Sequence, residues 1–289
     1  MKILVTGALG FVGSNLVDML VSQGNEVYGI DNLSSESASL YYQNQFAEYI
    51  LGDVQNVIKH YEHHKFDKIF HLAAKARIQP SFEIPYEYMD SNIMGTSAVC
   101  ELARLHGSKV TYATTSSKNH GTPYLTPYTF SKVAGEGILK TYANCFDLDC
   151  AMATFYNVYG PREPKQGEWA TVVAKFGRQW EEGEQLTVVG DGSQSRDFTH
   201  VEDICKGLIR ISEGNWKAHN FDLGRGVPVS ILDVAKMYTE NEESRITHVS
   251  LRKNEGMHTE SEWQKTYTLI KWRAQNNLED YIKTNRKNA

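Results

Sequence analysis

An α/β fold is the expectation for this chain, a doubly wound parallel sheet with a smaller C-terminal substrate-binding lobe, and three observations predict it. Short runs of branched and apolar residues alternate with amphipathic stretches as far as Phe155, the pattern of strands that cross over through helices into a sheet covered on both faces. A glycine-punctuated segment joins the first run to the first helical pattern. Beyond Phe155, Gly160-Pro161, Pro164, Gly167, Gly190-Asp191-Gly192-Ser193, Gly224 and Gly226-Val227-Pro228 break the chain into shorter pieces.

Lys2 to Thr6 (Lys-Ile-Leu-Val-Thr) is short, rich in branched side chains and bounded by Gly7, so it reads as a buried strand. A helical pattern follows over 11–22. Further strands are expected at 26–30, 47–51, 68–72, 109–113 and 150–155. Between the fourth and fifth strands, Tyr88, Ile93, Val99, Leu102 and Ala103 predict a long helix over 86–106, and another runs from 128 to about 144. Two such neighbouring helices could pack against a second subunit, which makes a homodimer the expected assembly. With no Ser/Pro-rich linker and no repeat, residues 1–156 with 201–223 are assigned to the sheet domain and 157–200 with 224–289 to the smaller lobe, the two pressed together over a cleft.

Composition narrows the class of function. Among 289 residues, 41% are hydrophobic and 22% charged, ordinary globular usage that excludes wholesale disorder. Thirty Lys and Arg against 35 Asp and Glu give a net charge of -5 without a dense basic run, so neither a nucleic-acid backbone nor an anionic membrane is an expected partner. Cys100, Cys145, Cys150 and Cys205 form no CxxC pair and read as reduced thiols in a cytoplasmic protein. The first apolar stretch is cut by Gly7, Gly10 and Gly13 and carries Asp18, so it is neither a signal segment nor a membrane span.

Gly7-Ala8-Leu9-Gly10-Phe11-Val12-Gly13 lies between an expected strand and an expected helix, the context in which a glycine loop cradles a dinucleotide. The glycines permit a tight turn, close approach of backbone to a pyrophosphate and close helix packing, and a helix N-terminus favours the negative charge. Asp31, 18 residues after Gly13, ends the second strand. There a carboxylate can accept hydrogen bonds from a ribose diol, or it is a turn aspartate before Asn32. No Lys or Arg stands between Lys2 and Lys59 to balance a 2′-phosphate, so NAD is expected rather than NADP.

Tyr128-Thr129-Phe130-Ser131-Lys132 sets a phenol and an ammonium four residues apart at the start of a helix, on one face. A nearby ammonium and an oxidised nicotinamide would both favour the phenolate, allowing Tyr128 to take a proton from a sugar hydroxyl while hydride leaves the same carbon. Thr114-Thr115-Ser116-Ser117 supplies hydroxyls at a strand's carboxyl end, where open α/β sheets bind ligands; ordinary turn chemistry is the alternative. His60, His63 and His64 have a spacing that could hold a metal, but no carboxylate or thiol supports it and a solvated helix end is the better reading, so no metal is expected. Trp169, Phe176 and Trp180 read as core.

These pieces, in this order, resemble the extended short-chain dehydrogenase/reductase family, and within it the NAD-dependent epimerase/dehydratase group that acts on nucleotide sugars. The resemblance rests on the glycine loop, Asp31-Asn32-Leu33-Ser34-Ser35, Gly52-Asp53-Val54, His71-Leu72-Ala73-Ala74, Asn92 with Gly95-Thr96, Tyr128-x3-Lys132, Phe155 to Arg162, and Gly190-Asp191-Gly192 leading to Arg196-Asp197-Phe198-Thr199-His200-Val201-Glu202-Asp203. It implies a Rossmann fold binding NAD through Gly7, Gly10, Phe11, Val12, Gly13, Asp31, Asn32, Ser34, Asp53, Val54, Leu72, Ala73, Ala74, Asn92, Tyr128, Lys132 and Tyr156. Ser116, Tyr128 and Lys132 are implied as catalytic, and Ser116, Asn157, Arg196 and Arg252 as substrate-binding. Bidentate guanidinium forks at Arg196 and Arg252 would suit a diphosphate; surface ion pairs are their alternative. Leu186 to Val189 is implied to line the nucleotide base, with an edge strand as an equal reading.

By the same resemblance, dehydratases carry Asp-Glu directly after the catalytic threonine, and decarboxylases a Glu at the second of those positions. Here Ser117 and Lys118 stand there, so the carboxylate that removes a proton beside a transient ketone is missing. Nucleotide-sugar 4-epimerisation on a UDP-hexose is therefore expected, with a reductase or dehydrogenase, or a dinucleotide-sensing protein, as alternatives. Three departures bear on substrate choice. Asn119-His120-Gly121 stands where relatives read Val-Tyr-Gly, only 11 residues separate Ser116 from Tyr128, and small Thr259 falls near the pocket-size position of the family.

Overall fold

A computed structural model describes residues 1–35, 37–167, 169–250 and 256–287. Its strands are β1 (Lys2–Thr6), β2 (Glu26–Asp31), β3 (Ala47–Leu51), β4 (Lys68–His71), β5 (Lys109–Thr115), β6 (Cys150–Phe155), β7 (Val158–Tyr159), β8 (Leu186–Val189), β9 (Ser195–Asp197), β10 (Thr199–His200), β11 (Lys217–Leu223), β12 (Pro228–Ser230) and β13 (Ile246–Val249). The helices are α1 (Phe11–Ser22), α2 (Val57–Tyr61), α3 (Pro85–Met89), α4 (Gly95–His106), α5 (Pro127–Phe146), α6 (Val172–Glu181), α7 (Val201–Ser212), α8 (Ile231–Thr239), α9 (Trp263–Ile270) and α10 (Leu278–Lys287).

Seven strands form one sheet in the order β11-β6-β5-β4-β1-β2-β3. β1 pairs in parallel with β2 and β4, β2 with β3, and β4 with β5. Ile3, Leu4 and Val5 of the interior strand β1 are fully buried, as a strand covered on both faces requires. From β1 the chain runs outward to β2 and β3, then returns to β4 on the other side. The connections therefore diverge at the carboxyl ends of β1 and β4, the switch point where doubly wound sheets bind ligands.

Chain contacts divide the protein into Met1–Thr154 with Cys205–Phe221, and Phe155–Ile204 with Asp222–Ala289. The first unit has a core of Leu4, Ile30, Ile69, Val99, Leu102, Val110, Leu139 and Met152. The second packs Tyr159, Val173, Phe176, Leu186, Phe198, Val234, Tyr238 and Ile282 around α6, α8 and α10. Phe176 is thus core, whereas Trp180 is partly buried between the guanidinium groups of Arg245 and Arg286, 4.7 and 5.0 Å from its ring centre. β8 pairs in parallel with β13 in a sheet of two strands. No helix among the described residues is long and apolar enough to cross a membrane.

Two expected elements differ in a way that bears on the site. The helix over 86–106 is interrupted: α3 passes into a single π-helical segment, Asp90–Met94, before α4. Such segments gather at functional sites. β5 continues two residues past its expected end, so Thr114 and Thr115 are strand residues with buried side chains rather than parts of a turn.

Candidate active site

The glycine loop shows why each glycine stands where it does. Gly7 has φ +70°, and a Cβ there would lie 2.8 Å from the Ala73 backbone nitrogen. A Cβ on Gly13 would lie 1.9 Å from the Gly7 carbonyl oxygen, so this glycine lets α1 pack on the loop. Gly10 differs: a Cβ there would meet only the Gly7 oxygen, at an ordinary 3.5 Å. Gly10 is also the N-cap of α1, whose first turn has no side-chain cap and no acidic residue. An open face beside uncapped backbone N–H groups suits a pyrophosphate.

Asp31 is buried at the end of β2. Its Oδ2 accepts from the Leu9 backbone N–H at 3.0 Å and its Oδ1 from that of Leu33 at 2.8 Å. Burial pushes its carboxyl up, and these backbone donors partly oppose the shift. Asn32 donates to Asp53 Oδ1 at 2.7 Å and accepts from the Ser34 backbone N–H at 3.0 Å, which orders the turn after β2. Val54 lies in the core beneath Gly95, where a Cβ would come within 2.5 Å of its Cγ1.

The loop after β4 is held by hydroxyls and an imidazole. His71 lies between Thr6 Oγ1 at 2.8 Å and Thr96 Oγ1 at 3.0 Å, and Ala73 N–H donates to Thr6 Oγ1 at 3.1 Å. Burial, with the charge of Lys132 adding to it, drives the His71 imidazole down to about 3. From the π-helical segment, Asn92 accepts from the Lys75 backbone N–H at 2.8 Å. It donates to the Lys75 carbonyl at 3.0 Å and to Ser131 Oγ at 2.9 Å. Asn92 thereby fastens the Leu72–Ala74 loop to α5, and its amide is spent on protein partners.

Thr126 caps α5 by accepting from the Thr129 N–H, with Pro127 in the first turn, and this aims Tyr128 and Lys132 from one face. The Tyr128 ring meets that of Tyr88 edge-on, with centres 6.2 Å apart. Its phenol is hydrogen-bonded to Thr115, at the end of β5 beside Ser116. The expectation that the Lys132 ammonium lowers this phenol is corrected here. Burial pushes Tyr128 up, and what opposes it is the Thr115 hydroxyl and the positive charge of Arg77. Lys132 is itself so buried that its ammonium falls to about 7, supported by Glu136, with Nζ 4.2 Å from the centre of the Tyr112 ring.

Ser116 is buried at the start of the 3-10 turn Ser116–Asn119. Two residues on, Lys118 Nζ lies 2.6 Å from Glu136 Oε1, which also accepts from Thr114 Oγ1 at 2.6 Å. The sequence marks Thr115 only as one of a cluster of hydroxyls and Lys118 only as the place of a missing carboxylate, and it gives Glu136 and Arg77 no role. Arg77 is a non-glycine residue at φ +82°, with its carbonyl accepting from the Tyr88 hydroxyl at 3.1 Å. No local pattern marks it.

In the second unit, Tyr156 is buried and donates to Asp222 at 3.0 Å, and the Asn157 carbonyl accepts from the Thr199 N–H at 3.2 Å. Arg196 is buried on β9, donating to the Ser195 carbonyl at 2.9 Å. Thr259 accepts from the Asp197 N–H at 3.0 Å. The acidic residues that follow Arg196 are staples: Asp197 accepts from the N–H groups of Arg225, Gly226 and Ser261, and Asp203 from those of Gln275 and Asn276. Arg252 lies outside the described residues. Among the described residues no cluster of three metal-ligating side chains occurs, and His63 is 90% exposed.

A model of the NAD dependent epimerase/dehydratase family matches residues 3–224. The chain belongs to this family. Its cofactor is NAD. The UDP-glucose 4-epimerase of Mycolicibacterium smegmatis is 37% identical over 251 residues, covering 80% of this chain and 79% of that one. UDP-glucuronic acid decarboxylase 4 of Arabidopsis thaliana is 31% identical over 83% of this chain and 57% of its own length. Among solved structures, the UDP-glucose 4-epimerase of Thermotoga maritima with UDP-glucose superimposes with a TM-score of 0.91 at 27% identity, over 99% of this chain and 98% of that one. Family relatives therefore include enzymes named for epimerisation and for decarboxylation, all acting on nucleotide sugars.

Proposed function

We propose that this protein is an NAD-dependent nucleotide-sugar 4-epimerase acting on a UDP-hexose. The observation that carries the reading is Lys118. The position two residues after Ser116 holds an ammonium, and the carboxylate that it meets, Glu136, is committed to that ammonium and to Thr114. Removing a proton next to a transient ketone, or assisting elimination, needs a free base there. Oxidation at carbon 4 and return of hydride to the other face of a 4-keto sugar needs none.

Bound NAD supplies the hydride acceptor and a positive charge beside the phenol. The chain's own groups do the rest. Ser116 hydrogen-bonds the reacting hydroxyl, Tyr128 takes its proton and returns it, and Lys132 holds the cofactor side of the pocket. Asn157, Arg196 and Arg252 are assigned to the sugar diphosphate. Gly7, Gly10, Phe11, Val12 and Gly13 are assigned to the pyrophosphate, Asp31, Asn32 and Ser34 to the ribose, and Asp53 and Val54 to the adenine. Leu72, Ala73, Ala74 and Tyr156 are assigned to the middle and nicotinamide end, with Asn92 acting through the Lys75 backbone. A homodimer through the helical run 85–106 and α5 belongs to the same reading, supported by exposed Tyr86, Met94, Leu105 and Phe146 on those helices.

Incubating the NAD-loaded protein with UDP-glucose and UDP-N-acetylglucosamine, without added reductant, tests the proposal through the anomeric proton signals of the 4-epimers. Accumulation of NADH in step with substrate loss would establish a dehydrogenase instead.

A further inference from the structure

The reacting groups come from two separate elements, Ser116 from the turn after β5 and Tyr128 with Lys132 from α5. The loop joining them is largely exposed at Asn119, Gly121, Thr122, Tyr124 and Leu125, so chain connectivity does not fix their spacing. A part-buried polar bridge also joins them. Lys118, with its side chain 17% exposed, reaches from the Ser116 turn to Glu136 on α5, whose side chain is 9% exposed. Thr114 of β5 donates to the same carboxylate oxygen. Lys118 also donates to Asn220 Oδ1 at 3.3 Å, which accepts from Thr154 Oγ1 at 2.9 Å, so β5, the turn, α5, β6 and β11 each contribute one side chain to the network.

We infer that Lys118 and Glu136 are positioning residues, a buried ion pair that clamps Ser116 against the Tyr128–Lys132 pair and divides the Glu136 charge between two ammonium groups. Glu136 follows Lys132 by one helical turn and shares its face. Its carboxylate therefore binds Lys118 directly and also supports the charge of Lys132. The other titratable groups around this point are Tyr112 from β5, His71 from β4, Cys100 from α4, Tyr128 on α5, and Arg77 after β4. Burial holds Tyr112, Cys100 and Tyr128 protonated and His71 neutral at ordinary pH, which leaves Lys132 as the group among them that changes charge there. Without Lys118, the carboxylate would have Lys132 as the buried cation on its helix, Lys140 one turn on being exposed, and would draw Nζ toward itself, away from its place over the Tyr112 ring.

The inference rests on the epimerase reading for its kinetic arm and not for its spectroscopic one. Protein carrying 13Cε-labelled lysine, with the Lys132 resonance assigned by its loss in Lys132→Met, gives the Lys132 titration midpoint directly. Lys118→Met is expected to raise that midpoint by about one pH unit or more, since an unshared opposite charge favours the ammonium. In the kinetic arm kcat falls by roughly 10- to 100-fold while KM for UDP-glucose stays within about threefold, the pattern of a disturbed proton-transfer geometry. Lys118→Arg should keep the parent midpoint, and Lys118→Met/Glu136→Leu, which removes both charges, should not show the upward shift. An unchanged midpoint in Lys118→Met overturns the clamp, even if thermal stability falls. A shifted midpoint in a protein that epimerises no UDP-sugar sustains the clamp and refutes the epimerase reading.

Discussion

Alanine at Gly10 and at Gly13 should fail for opposite reasons. At Gly13 the new methyl would lie 1.9 Å from the Gly7 oxygen, 2.8 Å from the Gly7 carbonyl carbon and 3.1 Å from Ala8 Cα, all backbone. No side chain can turn aside, so α1 must lift from the loop, at the upper end of the ~1–3 kcal/mol typical of overpacking or beyond it. At Gly10 the methyl meets one atom at 3.5 Å, and the backbone at φ -79°, ψ 177° is one that alanine adopts freely. The folded state should lose no more than about 1 kcal/mol there, the difference between glycine and alanine at an N-cap. The methyl would, however, occupy the face offered to the pyrophosphate. Urea denaturation and NAD titration by fluorescence separate the two effects. Gly13→Ala should lose stability and binding together, whereas Gly10→Ala should unfold near the parent midpoint yet bind NAD at least ~100-fold more weakly, the result of displacing a diphosphate from its N–H donors. Parent-like NAD affinity in Gly10→Ala would show that the open face is not where the cofactor sits.

Three further outcomes are expected. Tyr128→Phe should reduce turnover on UDP-glucose by ~100-fold or more while NAD affinity changes little, because the ring and its contact with Tyr88 remain and only the proton acceptor is lost; equal turnover in the variant would reassign the base. His71 gives an acid-sensitive contribution to stability: unfolded it titrates near 6.5 and folded near 3, so the unfolded chain takes the proton first. That contribution is complete above about pH 6.5 and disappears as pH falls toward 3, up to a few kcal/mol at about 1.4 kcal/mol per unit. Urea midpoints at pH 7.5 and 5 should therefore differ less in His71→Asn than in the parent. Asp197→Ala leaves the N–H groups of Arg225, Gly226 and Ser261 without their acceptor and should cost ~3 kcal/mol or more, seen as a drop in thermal midpoint; a change of a degree or less would show that water replaces the carboxylate.

The fold was legible in the sequence because its signals are local. Short runs of branched residues, glycines between a strand and a helix, and a Tyr-x3-Lys spacing at a helix start each act within a few residues of themselves, and together they place the dinucleotide loop, Asp31 and the Tyr128–Lys132 pair. The identity of Lys118 was equally plain as a letter. What it does was not, because its partner Glu136 is 18 residues away on another element and the bond forms only when β5 and α5 pack. The charge state of Lys132 and the rise of the Tyr128 phenol had the same origin. Spacing fixes which groups face one way, but desolvation depends on everything the sheet and helices bring around them, here Tyr112, His71 and Thr96. The sequence by itself determined the order of elements and the residue types offered to a cofactor. The tertiary structure alone decided how much water those residues keep, and so which of them carries charge.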